Sequence, residues 1–371
     1  AQGIDVIDFA SGEPDFDTPE PVKAAAEAAI RAGFTKYTPS SGIDELRVAI
    51  ADKLKEEQGL QYDKSQILVS CGAKHSLYNL AEALLEAGDE LIIPVPFWVS
   101  YQDQTLLNDA TPVLLQTREE DGYTISQDAL EAVITPRTKA IIVNSPCNPT
   151  GATYDRTTLE GIAAAALRHD LVIISDEIYE KVLYDGTQHI SIATLSPEVA
   201  ARTVVINGVS KAYAMTGWRI GYAAGPKPLL TAMANIQSQS TSNPCSISQK
   251  AAVAALRLGN PFTKTMVTEF DRRRRVMVDR LNKMPGVTCR MPTGAFYAFP
   301  NVSGLLGKRW KDQPIGSAAN LATYLLNEAQ VAVVPGEPFG SDIHIRLSYA
   351  TAMEAIERGL TRIDAALRRL S

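Results

Sequence analysis

Apolar and polar positions alternate along the chain in blocks that predict strands followed by helices. Short apolar runs rich in Val and Ile, mostly bounded by Gly, Pro, Asn, Ser or Asp, lie at 66–70, 90–94, 140–144, 171–175, 203–207 and 219–224. Such runs are typical of strands buried on both faces of a largely parallel sheet. Helical patterns at 75–87, 128–134 and 158–169 separate most of them. The alternation predicts an α/β fold with right-handed crossovers, except between the last two runs, which are close enough to form an antiparallel pair or a tight loop.

The pattern changes after residue 284, where a second, smaller domain is expected. Hairpin-like strands are predicted at 287–291 and 295–300, a helix at 318–329, short strands at 331–334 and 343–348, and a closing helix at 352–370. This order is typical of an α+β domain. The chain has 371 residues, more than one hydrophobic core usually supports, which also favours two domains.

Composition and charge exclude several classes of protein. Hydrophobic residues make up 45% and charged residues 21% of the chain, which excludes intrinsic disorder. The 42 acidic and 36 basic residues give a net charge of −6, which argues against a nucleic-acid partner. The four arginines at 272–275 are predicted to lie on an exposed helix face among acidic residues. The longest uncharged segment, 228–249, is rich in Ser, Gln, Thr and Asn, so no membrane span is expected.

The four cysteines are far apart and form no CxxC pair or metal-ligand cluster, so we expect no disulfide, no metal site and a cytoplasmic location. The first five residues have neither Met nor the basic and apolar regions of a signal peptide. They resemble mid-domain sequence, and we expect that a segment precedes them.

Candidate chemistry follows the predicted strands, because ligands of open α/β sheets bind beyond the carboxyl ends of the strands. The turn at 70–75 has small residues and opens a helix, so it is either a phosphate cradle or a tight turn. Asn148 lies between two prolines, and Asp176 and Tyr179 follow the fourth run. A buried acid such as Asp176 needs a partner, which would be a ligand at this edge of the sheet. A helix cap for Asp176 and a packed phenol for Tyr179 explain the two residues equally well. Lys211 either extends to solvent or is a desolvated amine that can form a Schiff base.

Taken together, these segments resemble the fold-type I, class I aminotransferases, specifically their bacterial aspartate/prephenate branch, over essentially the whole chain. The resemblance is carried by SGEPDFDTP at 11–19, YTPSSG at 37–42, PFWVSY at 96–101, NSPCNPTG at 144–151, SDEIYE at 175–180, SKAYAMTGWRIGY at 210–222, GAFY at 294–297 and RLSYA at 346–350. It implies a mostly parallel central sheet with helices on both faces and a smaller α+β domain. We therefore expect a large cofactor-binding domain over 21–283 and a small domain made of 1–20 and 284–371.

The resemblance implies pyridoxal 5'-phosphate as the cofactor. Lys211 would form the Schiff base and shuttle the substrate proton, and Asp176 would keep the pyridine nitrogen protonated. Tyr179 and Asn148 would hydrogen-bond the phenolic oxygen, and Trp98 would stack on the ring.

The resemblance also implies the phosphate contacts. They would come from the turn at Gly72, from the backbone of Ala73 and Lys74, and from the guanidinium of Arg219. Tyr37 would reach the phosphate of a partner subunit, so the enzyme would be a homodimer with shared active sites.

For the substrate, the resemblance implies that Arg346 binds the α-carboxylate with two hydrogen bonds, helped by the backbone of Gly12. Asn148 and Trp98 would also contact the substrate. Because Arg346 belongs to the predicted small domain, substrate binding would close that domain over the site and exclude water.

The expected reaction is reversible transamination between L-aspartate and 2-oxoglutarate, giving oxaloacetate and L-glutamate, with conversion of prephenate to arogenate as a second activity. Two departures from the family pattern are Cys147, where many relatives have Ser or Ala, and Leu106, where some relatives have a Lys for the second carboxylate. Other relatives take that Lys from a segment near the N-terminus that this chain does not contain. The sequence therefore supports transamination better than it supports a dicarboxylic substrate.

Several alternatives remain open. One is an aromatic or broad-specificity aminotransferase, and others are a cofactor-dependent C–S lyase and an aminocyclopropane-carboxylate synthase. A cofactor-sensing regulatory domain would need a DNA-binding arm, and the sequence shows none. A nicotinamide dehydrogenase is disfavoured because no GxGxxG motif follows the first strands.

Overall fold

The computed structural model describes Gly3 and residues 5–371, and its centre is a seven-stranded sheet. The strands in chain order are β1 (Ile7–Asp8), β2 (Ile67–Ser70), β3 (Glu90–Val95), β4 (Thr111–Gln116), β5 (Thr138–Asn144), β6 (Val172–Asp176), β7 (Thr203–Gly208), β8 (Gly221–Ala224), β9 (Tyr297–Ala298), β10 (Arg309–Trp310), β11 (Gln313–Pro314), β12 (Val331–Ala332), β13 (Val334–Pro335) and β14 (Ile345–Ser348). The central sheet has the order β2-β8-β7-β6-β5-β3-β4. Its strands are parallel except for β8, which is antiparallel to both neighbours. The predicted mostly parallel sheet is confirmed, and of the two alternatives for its final pair the structure has the antiparallel one.

Helices cover both faces of this sheet, and further helices pack with the C-terminal part of the chain. Those on the sheet are α1 (Glu20–Arg31), α2 (Asp44–Gln58), α3 (Ala73–Leu84), α4 (Ser100–Leu106), α5 (Gln127–Val133), α6 (Arg156–Arg168), α7 (Pro197–Ala200), α8 (Lys227–Ser240) and α9 (Ser246–Arg257). The others are α10 (Pro261–Leu281), α11 (Ala318–Ala329) and α12 (Met353–Leu367). On β2, Ile67 and Val69 pack in one core with α2 and α9, whereas Leu68 packs in another with α3 and α8. Successive side chains of a strand point to opposite faces, which explains the continuous apolar runs.

The edge strand β4 is absent from the strands predicted above. Within it only Leu115 is buried, and the other side chains are partly or fully exposed. An edge strand needs no continuous apolar run, because one of its sides is open to solvent. The pattern of buried apolar runs therefore does not mark this strand.

The C-terminal part of the chain forms smaller sheets. β14 pairs antiparallel with β13 and β9, and β1 pairs parallel with β12. The hairpin predicted at 287–291 and 295–300 is wrong, because only Thr288 and Asn301 pair across it. Pro292 has no N–H, and the N–H groups of Thr293 and Gly294 both donate to the carbonyl oxygen of Gly151. These bonds hold the loop against the segment that follows β5 instead.

Helix α10 packs in the same core as the C-terminal elements. Met266, Phe270 and Met277 on this helix share one hydrophobic cluster with residues of α11, α12 and β14. The predicted domain boundaries, 21–283 against 1–20 with 284–371, place α10 in the other unit, and this division stays a prediction. The first segment of this division includes residues 1, 2 and 4, which lie outside the described residues. The expectation about the start of the chain falls on the same residues.

The expectation that the arginines at 272–275 all lie on an exposed face is wrong for two of them. Arg273 and Arg274 are buried, and the other two are exposed. Arg273 pairs with Asp15 at 2.7 Å. Arg274 pairs with Asp185 at 2.8 Å, and its guanidinium lies 4.3 Å from the centre of the Tyr184 ring. Burial is tolerated because carboxylates and an aromatic face replace the water around each guanidinium.

Two smaller expectations can be compared with the structure. All four cysteines are free. Among the residues that the structure describes, no helix is both long and apolar enough to cross a bilayer.

A buried polar network fixes the chain just after β6. The carboxylate of Glu177 accepts hydrogen bonds from Ser175 at 2.8 Å and Ser191 at 2.5 Å, and it pairs with Nε2 of His189 at 2.9 Å. Nearby, Lys53 of α2 pairs with Glu180. Glu177, Glu180 and His189 are close enough to ligate a metal, but the ammonium of Lys53 already supplies the positive charge. The network holds the backbone on which Asp176 lies.

The His189–Glu177 pair predicts a pH-dependent contribution to stability. Burial opposes the charge on His189, but Glu177 outweighs it and raises the pKa of His189. The stabilisation is therefore fully present below the ordinary His pKa of about 6.5 and is lost as the pH rises through the raised pKa. We expect His189→Gln to lower the urea midpoint more at about pH 6 than at about pH 9.

The matched control is His169→Gln, since His169 pairs with Glu131 but is 34% exposed, and a surface pair contributes little. An equal loss for His189→Gln at both pH values would show that the pair is not charged.

Candidate active site

A cavity of about 460 Å³ opens where the strands of the central sheet end. Asn144 and Asp176 are the last residues of β5 and β6, and both line it. Ten of the twelve residues expected at the site line this cavity, and they are Gly12, Ala73, Lys74, Trp98, Asn148, Asp176, Tyr179, Lys211, Arg219 and Arg346. A volume of this size is typical of small-molecule sites.

The carboxyl group of Asp176 is buried at the end of β6. Its Oδ2 accepts a hydrogen bond from the hydroxyl of Tyr101 at 2.6 Å, and its Oδ1 accepts one from the backbone N–H of Ile178 at 3.2 Å. Burial raises the pKa of Asp176 to about 6, although both hydrogen bonds favour the ionised form. A carboxylate held in this way is suited to pair with a cationic group of a ligand.

The amine of Lys211 lies among the same residues. Its Nζ donates to the carbonyl oxygen of Gly12 at 2.5 Å. Burial lowers the pKa of Lys211 to about 8, Arg346 and Arg219 contribute to the lowering, and Glu13 opposes it. The side chain of Lys211 therefore does not simply extend to solvent. Near physiological pH a substantial fraction of its amine is neutral, and the neutral amine is nucleophilic.

The turn between β2 and α3 lets the guanidinium of Arg219 lie directly against the backbone at Gly72. Gly72 has φ +90°, and a Cβ at this position would lie 2.3 Å from Nη2 of Arg219. The turn is also tight, because a Cβ on Gly221 would lie 2.1 Å from the backbone nitrogen of Ala73. The N–H groups of Ala73 and Lys74 begin α3 and have no acceptor within the helix. These donors, the helix dipole and the guanidinium together suit a phosphate group.

Arg346 enters the cavity from β14. Its Nη1 donates to Oδ1 of Asn148 and its Nη2 to the carbonyl oxygen of Ala10, each at 2.9 Å. Its Nε is buried and has no partner among the described residues. A buried donor without an acceptor is costly, so this edge of the guanidinium is free for an anionic ligand such as a carboxylate. Since Oδ1 of Asn148 is taken, its amide NH2 is the group that remains for a ligand.

Two tyrosines meet at the cavity wall. The hydroxyl oxygens of Tyr179 and Tyr297 are 2.8 Å apart, and both side chains are buried. Burial raises the pKa of each phenol, so both stay protonated and act as hydrogen-bonding groups.

Trp98 and Lys74 lie side by side at the cavity. The ammonium Nζ of Lys74 is 4.8 Å from the centre of the Trp98 ring, and the ring packs edge-on against Tyr101. Beyond its backbone N–H, Lys74 therefore brings a positive side chain to the cavity.

The other two expected residues do not line the cavity. Gly72 is in contact with the guanidinium of Arg219, which separates it from the cavity. Tyr37 is 92% exposed, and its expected contact with a partner subunit stays a prediction.

Comparison with known proteins identifies the family. The sequence model of the family described as aminotransferase class I and II matches residues 4–363. The chain belongs to this family. It is 47% identical over 366 residues to the aspartate aminotransferase of Geobacillus stearothermophilus, covering 98% of this chain and 91% of that protein. It is 50% identical over 367 residues to the aspartate/prephenate aminotransferase of Cereibacter sphaeroides, covering 98% and 92%.

The fold agrees with this assignment. The crystal structure of the aspartate aminotransferase from Rhizobium meliloti matches with a TM-score of 0.96 at 46% identity, covering 99% of this chain and 92% of that chain. The family and the fold-type I architecture that the sequence predicted are confirmed.

Sequence reasoning missed several residues of this aminotransferase cavity. Tyr101 and Tyr297 lie within the segments PFWVSY and GAFY, and Glu13 lies within SGEPDFDTP. Thr216 donates to Glu13 at 2.7 Å at the edge of the cavity. Their segments were recognised, but the direction in which each side chain points was not.

The lowered pKa of Lys211 can be measured on the cofactor-free protein. We expect an amine-reactive reagent to label Lys211 with a midpoint near pH 8, whereas ordinary lysines label near pH 10.4. Peptide mass spectrometry after labelling at several pH values gives the midpoint of each lysine.

The control variant is Glu13→Gln. Because Glu13 raises the pKa of Lys211, the midpoint should move down in this variant. A Lys211 midpoint equal to that of the other lysines would contradict the geometry.

Proposed function

We propose that this aminotransferase uses pyridoxal 5'-phosphate to exchange amino groups between L-aspartate and 2-oxoglutarate, forming oxaloacetate and L-glutamate, with prephenate as a second amino acceptor. The observation that carries the proposal is that one cavity combines the amine of Lys211, the buried carboxyl of Asp176 and two arginines, Arg219 and Arg346. The names of the curated relatives agree with this reaction.

The residues present fit the cofactor. The N–H groups of Ala73 and Lys74 at the start of α3 and the guanidinium of Arg219, which lies against Gly72, would hold its phosphate. Asp176 would pair with its protonated pyridine nitrogen, and Tyr179 with Asn148 would donate to its phenolic oxygen. When bound, the cofactor supplies an aldehyde that bonds to an amine and a ring that accepts the electrons of the broken Cα–H bond.

The remaining chemistry belongs to side chains of this chain. Nζ of Lys211 would take the proton from the substrate α-carbon and deliver it to a carbon of the bound cofactor, since its lowered pKa suits a general base. The guanidinium of Arg346 orients the α-carboxylate through Nε and a second N–H. Asp176 would stabilise the positive charge of the protonated pyridine nitrogen, which the reaction requires, in a site with little water.

Lys74 supports a dicarboxylic substrate. The sequence offers no Lys at the expected position eight residues after Trp98, and Leu106, which stands there, is 52% exposed and does not line the cavity. The side chain of Lys74 does line it, and Lys74 has no ion-pair partner within the described part of the chain. We infer that its ammonium binds the second carboxylate of aspartate or 2-oxoglutarate.

Three further parts of the proposal concern the whole protein. We infer a homodimer in which Tyr37, which is 92% exposed, completes the partner's phosphate site. We infer that the small domain, 1–20 with 284–371, closes over the large domain, 21–283, when Arg346 binds substrate. The four free cysteines are consistent with a cytoplasmic location.

The test is amino-group transfer by the cofactor-loaded protein. We expect kcat/KM for L-aspartate and L-glutamate to exceed that for L-phenylalanine, measured from the product 2-oxo acids. Lys74→Met should lower kcat/KM for aspartate by about tenfold or more, because a charged hydrogen bond is lost. The same variant should leave kcat/KM for L-alanine, which has one carboxylate, nearly unchanged.

Other results would change the assignment. Preference for phenylalanine in the wild type would favour the aromatic aminotransferase. Release of a thiol from a thioether amino acid without amino transfer would favour the lyase. An equal loss for aspartate and alanine in Lys74→Met would contradict the role of Lys74.

A further inference from the structure

Tyr297 has no role in the function proposed above, yet it contacts three parts of the cavity. It lies on β9, opposite Ser348 of β14, and it is 1% exposed. Its side chain touches the guanidinium of Arg346 and the hydroxyl of Tyr179. Its hydroxyl also borders Gly12, where an added Cβ would lie 3.2 Å from it. These contacts come from segments that are far apart in the chain.

The ring of Tyr297 constrains the face of the Arg346 guanidinium. The guanidinium carbon lies 4.5 Å from the centre of this ring and 5.0 Å from the centre of the Phe339 ring. Hydrogen bonds to Asn148 and Ala10 hold Nη1 and Nη2 in the plane. Aromatic faces attract a guanidinium and hold it flat. The combination fixes the direction of Nε, the unpaired donor.

The hydroxyl of Tyr297 constrains Tyr179 in a different way. The two hydroxyl oxygens are 2.8 Å apart, and each group carries one hydrogen. If Tyr297 donates to Tyr179, the hydrogen of Tyr179 is free to bind a ligand oxygen. If Tyr297 is replaced by a residue without a donor, the oxygen of Tyr179 loses this bond and its hydroxyl becomes a weaker donor.

We propose that Tyr297 is a positioning residue that orients Arg346 through its ring and Tyr179 through its hydroxyl. The ring would set the affinity for the substrate α-carboxylate, and the hydroxyl would set the donor strength toward the cofactor phenolic oxygen. This inference rests on the proposed function, and it assigns two separable effects to one side chain.

Two variants separate the effects. Tyr297→Leu removes both the ring and the hydroxyl, and Tyr297→Phe removes only the hydroxyl. Maleate, a dicarboxylate without an amine, serves as the binding probe. We expect Tyr297→Leu to raise the dissociation constant of maleate and the KM for aspartate by about tenfold, as expected for loss of a desolvated cation–aromatic contact. Tyr297→Phe should keep both within about twofold of wild type, since the ring contact remains.

The hydroxyl has its own measurement. In the cofactor-loaded enzyme, Tyr297→Phe should raise the pH midpoint of the visible absorption change and lower kcat, with little change in KM. Tyr324→Phe is the matched control, because its buried hydroxyl donates to the carbonyl oxygen of Ala366 at 2.8 Å and its ring does not line the cavity. The control should leave the midpoint unchanged.

A double-mutant cycle tests whether the ring acts through Arg346. On an Arg346→Gln background, Tyr297→Leu should cost little further maleate affinity. An additive loss would overturn the ring part of the proposal, and an unchanged midpoint in Tyr297→Phe would overturn the hydroxyl part. If Tyr297→Leu does not fold, as judged from its thermal unfolding, Tyr297→Met replaces it in the cycle.

The two levels of the proposal fail differently. If the wild-type enzyme transaminates but Tyr297→Leu leaves the affinity for maleate unchanged, the proposed function holds and the inference about Tyr297 is wrong. If the wild-type protein transfers no amino group, the proposed function itself is wrong.

Discussion

The arrangement of the cavity depends on a buried carboxyl group at the end of β6. Asp176 is kept from water, but its carboxyl group accepts hydrogen bonds from the hydroxyl of Tyr101 and the backbone N–H of Ile178. Both hydrogen bonds favour the ionised form of the carboxyl group. Burial raises the pKa of Asp176 and lowers the pKa of Lys211, so it favours the neutral form of each group. Neither group is at its ordinary protonation balance, which is the situation expected where a ligand supplies or removes charge. The buried Glu177 network beside Asp176 holds the backbone that carries it.

The parallel sheet explains why such distant residues meet. The carboxyl ends of β5, β6 and β7 lie at one edge, so Asn148, Asp176 and Lys211 converge although they are far apart in sequence. Arg346 reaches the same place from β14, which belongs to a different sheet and a different core. The groups that we propose to bind phosphate and those that we propose to bind carboxylate therefore belong to separately packed parts of the protein. In this proposal, the substrate carboxylate is the contact that links motion between the two parts to catalysis.

The sequence predicted the buried strands and their end residues because continuous apolar runs and the ligand-binding edge of α/β sheets are visible in one dimension. It did not predict the edge strand β4, whose side chains are mostly exposed, or the loop around Pro292, whose backbone pairs with Gly151 instead of forming a hairpin. Tyr101, Tyr297 and the side chain of Lys74 also escaped it. Their roles depend on which way a side chain points, and that direction is set by packing between segments distant in sequence.

The central claim is that Lys211 is the amine that holds the cofactor, and covalent trapping tests it most directly. The protein is loaded with pyridoxal 5'-phosphate, reduced with borohydride, and digested for peptide mass spectrometry. The account predicts one cofactor adduct on the peptide that contains Lys211. It predicts none on Lys74, the other lysine that lines the cavity. An adduct on Lys74, or no adduct on Lys211, would contradict the account.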